Sequence, residues 1–137
     1  MIVKLEKESL QEEKLGNKGK FLLQMKKQGF NVPGGFILDS DVYDEVITSN
    51  GIADKIQSDL SELTSENARE ISGRITGLFE GALIPEKILE EINMLARDDV
   101  FYAVRSSGSK EDLAEYSFAG QYETFLNIKK ADLEEIS

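Results

Sequence analysis

Lys18 stands between two glycines in LGNKG, residues 15–19, where a helical pattern begins near Asn17. Glycines at 16 and 19 let backbone amides approach a ligand closely, and a helix N-terminus adds partial positive charge. A lysine in that setting is placed to reach a phosphate. The surrounding segment, 14–38, has no Asp or Glu and carries Lys14, Lys18, Lys20, Lys26 and Lys27, in a chain where 26 acidic residues outnumber 16 basic ones. The GxxxxGK[ST] spacing of a Walker A loop is absent. A Gly-rich turn with solvated lysines has the same appearance, so spacing leaves both readings open.

Two further groups carry chemistry. Arg105, in VRSSG (104–108), follows an apolar run and precedes a hydroxyl-rich stretch. A guanidinium held at a strand end suits phosphate oxygens through its planar fork. Pairing with Glu111, Asp112 or Glu115 to hold the loop is the competing reading. In SFAGQYET (117–124), Gly120 is able to admit a phosphate or nucleotide against the backbone, and Thr124 to offer its hydroxyl. A loop-to-strand junction with Thr124 as a good strand residue explains the same letters.

Composition narrows the chemistry. The 137 residues include no His, Cys or Trp, which excludes a Ser-His-Asp triad, a cysteine nucleophile, zinc sites of the usual ligands and iron–sulfur clusters. A net charge of −10 argues against nucleic acid as a partner. Residues 1–10 lack the apolar stretch of a secretory signal, and no apolar run reaches the length of a membrane span, so a cytoplasmic location without a membrane partner is expected.

The elements that must position these groups follow from periodicity. Ser9 to Glu12 has the form of a capping box. Residues 17–28 predict a helix with Phe21, Leu22 and Met25 on one face, stopped by Gly29. A turn at 32–35 leads to a short buried strand at 36–38. Asp39 or Ser40 then caps a helix carrying Val42, Tyr43, Val46 and Ile47, which ends at Asn50 and Gly51. The middle is helical: Ser65 is a candidate N-cap for Ile71, Ile75, Leu78, Phe79 and Ala82. Gly73 and Gly77 suggest close packing there. Pro85 opens a further helix with Ile88, Leu89, Ile92 and Leu95. Residues 100–104 predict a buried strand, 105–119 a loop, and 121–128 a strand with Tyr122, Leu126 and Ile128 in alternation. Asp132 begins a helix of which the sequence holds one turn. The chain is therefore expected to be cut from something longer.

In combination these segments resemble one family. VRSSGSKEDLAEYSFAGQYETFLNI (104–128) is similar to the signature VRSS-x-x-x-EDL followed by SFAGQ-x-x-T-x-LN. This signature marks the N-terminal ATP-binding domain of the phosphoenolpyruvate-utilising phosphotransferases: phosphoenolpyruvate synthase, pyruvate phosphate dikinase and the rifampin phosphotransferases. Upstream, LGNKG, a helix, GFNVPGGFIL and the helix bearing Asp41 and Tyr43 resemble that family's GGKG, helix, VPPGF and tyrosine-bearing helix. Asn17 replaces a usual glycine and Gly34 a common proline.

The resemblance implies an α+β fold, the first lobe of an ATP-grasp domain, with helices on a small mixed or antiparallel sheet spanning 1–137. It implies that Lys18 and Arg105 face the nucleotide phosphates and serve catalysis, with Gly120 and Thr124 as further nucleotide contacts. The implied cofactors are ATP and Mg²⁺. No metal ligand falls within this chain, because the family's metal carboxylate lies in a second lobe. The implied function is transfer of a phosphoryl group from ATP, through a carrier histidine in a separate domain, to pyruvate. A rifamycin-type acceptor, or a non-catalytic stand-alone binding module, is the alternative. Neither the acceptor nor the oligomeric state is encoded in these residues, and the fragment alone is expected to be inactive.

Overall fold

The computed structural model describes residues 2–5, 14–107 and 123–133. Among these the fold is α+β, with five α-helices and two antiparallel sheets of two strands each. Strand β1 (Ile2–Lys4) pairs with β2 (Phe36–Leu38), setting Val3 opposite Ile37 and Ile2 opposite Leu38. The alternation of a strand sends these pairs to opposite faces. Val3 and Ile37 pack with Leu5, Leu15, Leu22 and Leu23, beneath helix α1 (Asn17–Lys27). Ile2, Phe36 and Leu38 join Val42 of α2 (Ser40–Ser49), Ile88 and Ile92 of α5 (Glu86–Leu95), Ala96 and Leu133. A narrow sheet thus lies between one helix and a pair of helices.

Helices α1 and α2 stop where left-handed backbone is required. Gly29 (φ 85°) donates its N–H to the Lys26 carbonyl while Phe30 donates to Met25; Gly51 (φ 63°) and Ile52 repeat the pattern onto Thr48 and Ile47. Both are Schellman ends. At the start of α2 the Asp39 carboxylate accepts the Asp41 N–H at 3.0 Å, and Asp39 is only 6% exposed. The capping expected at Asp39 is present. Past α2, the Asn50 side chain accepts the Leu83 N–H and donates to the Leu83 carbonyl, both at 2.8 Å, tying α2 to the entry of α5.

Helices α3 (Ala53–Ser61) and α4 (Ala68–Glu80) form a pair around Ile71, which is 2% exposed. The expected N-cap Ser65 is corrected to Asn67. The Asn67 side chain turns back to the Thr64 N–H and the Glu62 carbonyl instead of capping α4. Gly73 and Gly77 are a second correction, since a Cβ at either would have no heavy atom of a described residue within 4 Å. Among the described residues they face open space rather than a neighbour. On α1 the buried positions are Gly19 and Leu23, whereas Phe21 is 62% exposed, so the apolar face is rotated from the expected one.

Strand β3 (Tyr102–Arg105) pairs with β4 (Thr124–Ile128). The run 100–104 is not buried on both faces: Phe101 is 67% exposed, while Tyr102 and Val104 alone turn to the core. The Phe36 and Tyr102 rings, 6.3 Å apart, join the two sheets. β4 carries one extra residue between its pairings of Phe125 with Val104 and of Ile128 with Tyr102, and Asn127 there has φ 59°. This bulge breaks the expected alternation, leaving Leu126 64% exposed while Ile128 packs inward. Lys130–Asp132 form a 3₁₀ turn. The capping box at 9–12, Tyr122 and the helix expected beyond Leu133 lie outside the described residues.

Lys14 ties the lead-in of α1 to α2. Its ammonium donates to both Asp41 carboxylate oxygens, at 2.8 and 2.6 Å. That hydrogen bond is the main cause raising the Lys14 pKa above 10.5 and holding Asp41 below 3.8.

Two predictions follow from this packing. Replacing Gly73 or Gly77 with Ala is expected to stabilise the protein by about 0.5–1 kcal/mol each, because helix propensity improves and nothing collides; denaturant midpoints measure it, and a destabilised variant would show a packed partner. Asp41→Asn is expected to lower stability at neutral pH. The deficit relative to the unsubstituted chain shrinks as pH falls through the depressed Asp41 pKa, and as pH rises through the raised Lys14 pKa. Chemical denaturation across pH checks this, and a pH-independent deficit would contradict it.

Candidate functional site

Helix α1 begins without a cap of its own. Gly16 at the N-cap has extended backbone and no side chain, and the first turn holds no acidic residue. The amide of Lys18 donates instead to the Ser107 hydroxyl at 3.1 Å, and the Lys18 ammonium donates to the Ser106 carbonyl at 3.0 Å. A Cβ at Gly16 would run into the backbone oxygen and hydroxyl of Ser107. The close approach expected of Gly16 therefore serves the VRSS turn. Gly19 differs: a Cβ there would lie 3.0 Å from the Ile37 side chain, so this glycine seats α1 on the β1–β2 sheet and does not open to a ligand.

The turn touching α1 is itself anchored. The Ser106 amide and hydroxyl both donate to the Glu123 carbonyl, at 3.1 and 3.2 Å, and the hydroxyl accepts the Glu123 N–H at 3.0 Å. These bonds extend the β3–β4 ladder past Arg105. Within the ladder Arg105 stands opposite Thr124. Tyr102 and Val104 occupy the inward face of β3, so Arg105 points outward and is exposed, as Thr124 is. No carboxylate among the described residues forms an ion pair with Arg105. Its alternative partners Glu111, Asp112 and Glu115 lie outside them, as does Gly120.

The basic segment is smaller than its composition implies. Lys14 is committed to Asp41. Lys26 and Lys27 sit in the last turn of an 11-residue helix, roughly 15 Å from its start at about 1.5 Å per residue. Lys20 lies two residues past Lys18 in α1, while Lys18 and Arg105 are the cations directly at the joined loops. The donors there are ammonium, guanidinium, hydroxyl and amide groups, a set suited to phosphate oxygens. It does not suit a divalent metal, and among the described residues no group of three or more acidic side chains could hold one. A shallow cavity of about 430 Å³ between α3 and α4 shares no residue with this region, and Arg74 on its wall is tied to Asp59 at 3.1 Å.

Three of the four residues singled out in sequence thus sit around one turn. Ser106 and Ser107, which join them, were present in sequence only as part of a hydroxyl-rich loop. Their position directly after a strand ending in Arg was the available signal.

Comparison with known proteins matches residues 12–136 to the family described as "Pyruvate phosphate dikinase, AMP/ATP-binding domain". The chain is 36% identical over 128 residues to a probable phosphoenolpyruvate synthase of Methanothermobacter thermautotrophicus, covering 85% of this chain and 19% of that protein. It is 35% identical over 135 residues to the phosphoenolpyruvate synthase of Neisseria meningitidis, covering 88% and 17% respectively. Similarity to the rifampicin phosphotransferase of Streptomyces sviceus is 35% over 121 residues, or 83% of this chain and 14% of that one. The chain therefore spans less than a fifth of the length of these relatives. Over nearly all of its own length, it belongs to the pyruvate phosphate dikinase AMP/ATP-binding domain family.

Proposed function

We propose that this chain is the first lobe of an ATP-grasp domain. It would hold the phosphates of ATP in an enzyme that moves a phosphoryl group through a carrier histidine to pyruvate. The observation that carries the reading is the joining of two loops by the Lys18 bonds to Ser106 and Ser107, one residue beyond Arg105. Two cations thereby flank the end of β3, with the Thr124 hydroxyl opposite Arg105 in the ladder. Family membership and the phosphoenolpyruvate synthases among the relatives support the reaction class.

In this reading the Lys18 ammonium leaves the Ser106 carbonyl for a phosphate oxygen. Arg105 offers its fork to oxygens of the same triphosphate, and the Thr124 hydroxyl, across the ladder, supplies a further donor. Gly120 would complete the contact through its backbone. Both cations neutralise charge that spreads over the phosphoryl oxygens as the bond to the leaving group lengthens, so catalysis here is positioning and electrostatics. The chain has no histidine, so the carrier belongs to another part of the longer protein. Magnesium ligands are likewise assigned to a second lobe. The proposed compartment is the cytoplasm: no helix among the described residues is long and apolar enough to cross a membrane, and a chain without cysteine agrees with a reducing environment. The rifampicin phosphotransferase relative supports an antibiotic hydroxyl as the alternative acceptor.

Arg105→Ala in the full-length protein is expected to lower ATP-dependent turnover by about one to two decades, the loss of a charge-assisted contact, with little change in thermal midpoint. Arg105→Lys should recover only part. A lowered midpoint with unchanged turnover per folded molecule would make Arg105 a loop tether and remove it from the site.

A further inference from the structure

We propose that Ser107 is a positioning residue that sets the spacing of Lys18 and Arg105. The inference rests on the phosphate-binding reading above. Four observations converge on it. The Ser107 hydroxyl caps a helix that has no side-chain cap of its own, by accepting the Lys18 amide. The same turn takes the Lys18 ammonium on the Ser106 carbonyl. Gly16 leaves Ser107 the space that any Cβ would fill. On its other side, the turn is bound to Glu123 by three hydrogen bonds of Ser106.

The chain of contacts runs without a gap from α1 to β4. α1 is seated on the sheet through Gly19, Leu23 and the buried Leu15. Arg105 is seated in the ladder opposite Thr124. Ser107 is the side chain that bridges helix and ladder through the helix backbone, and this bond persists when the Lys18 ammonium turns to a ligand. Ser106 alone cannot do this, since its bonds to α1 end at the mobile tip of the lysine side chain.

The residue types fit the role. The position requires a short side chain with an acceptor oxygen, so serine suffices and alanine does not. Because Ser107 is exposed, its loss opens no cavity, and water can satisfy the Lys18 amide. Stability therefore changes little when the bond is lost, while the separation of the two cations is released. A phosphate bound by both must then order the turn itself, which weakens affinity.

The test compares ATP and adenosine binding to full-length protein carrying Ser107→Ala, Ser107→Thr or no substitution, with thermal midpoints and hydrogen exchange at the Lys18 amide alongside. Ser107→Ala is expected to weaken ATP binding roughly threefold to tenfold, the worth of one hydrogen bond, and to leave adenosine binding unchanged. It should also speed exchange at Lys18. Ser107→Thr, which keeps the hydroxyl, should restore most of the affinity. Unsubstituted protein that binds ATP no tighter than adenosine would overturn the phosphate reading, and this inference with it. If the unsubstituted protein favours ATP and Ser107→Ala favours it equally, the inference alone fails. Failure also follows if Ser107→Ala lowers the midpoint and the affinity for both ligands together.

Discussion

A sheet of two three-residue strands cannot stand in water, and the rest of this fold answers that constraint. Each face of β1–β2 must be covered. Val3 and Ile37 receive α1 on one side; Ile2, Phe36 and Leu38 receive α2 and α5 on the other. Because Gly19 lets α1 press against Ile37, the helix axis is held close, and its uncapped N-terminus is delivered to a fixed place. The chemistry proposed for Lys18 depends on that seating.

The second ribbon uses its two faces differently. Tyr102, Val104 and Ile128 attach β3–β4 to the common core, and the ring contact of Tyr102 with Phe36 links the sheets directly. The outward face is left to Arg105 and Thr124. Strand alternation thus separates a face that anchors from the face proposed to bind. The serines after Arg105 close the gap between ribbon and helix with hydrogen bonds to Lys18, which brings two cations to one region. The chain is acidic as a whole, and this pair of cations is the place proposed for an anionic ligand.

What the sequence made legible has a common cause. Gly29, Gly51 and Asp39 act through their own backbone or within two residues, so their roles show in a local reading. Phe21 misled because amphipathic spacing admits neighbouring faces, and the face used was chosen by Gly19 meeting Ile37. α3 escaped notice since none of its side chains is buried, and β1 since three residues carry little pattern. Lys18, Arg105 and Thr124 were nominated from residue type and neighbours, and the structure brings them around one turn. Ser107 was not, because its partner lies 89 residues away and the hydrogen bond joins a side chain to a helix amide. Nothing in local spacing announces such a contact.

If Lys18 and Arg105 act together on one triphosphate, as proposed, a double-mutant cycle on ATP affinity in the full-length protein tests it most directly. Lys18→Ala, Arg105→Ala and the double substitution would be titrated with ATP, with adenosine as the control. The account predicts that the two losses are not additive, with a coupling of about 0.5–3 kcal/mol, and that adenosine affinity does not move. Independent losses that simply add, or equal losses for adenosine, would contradict it.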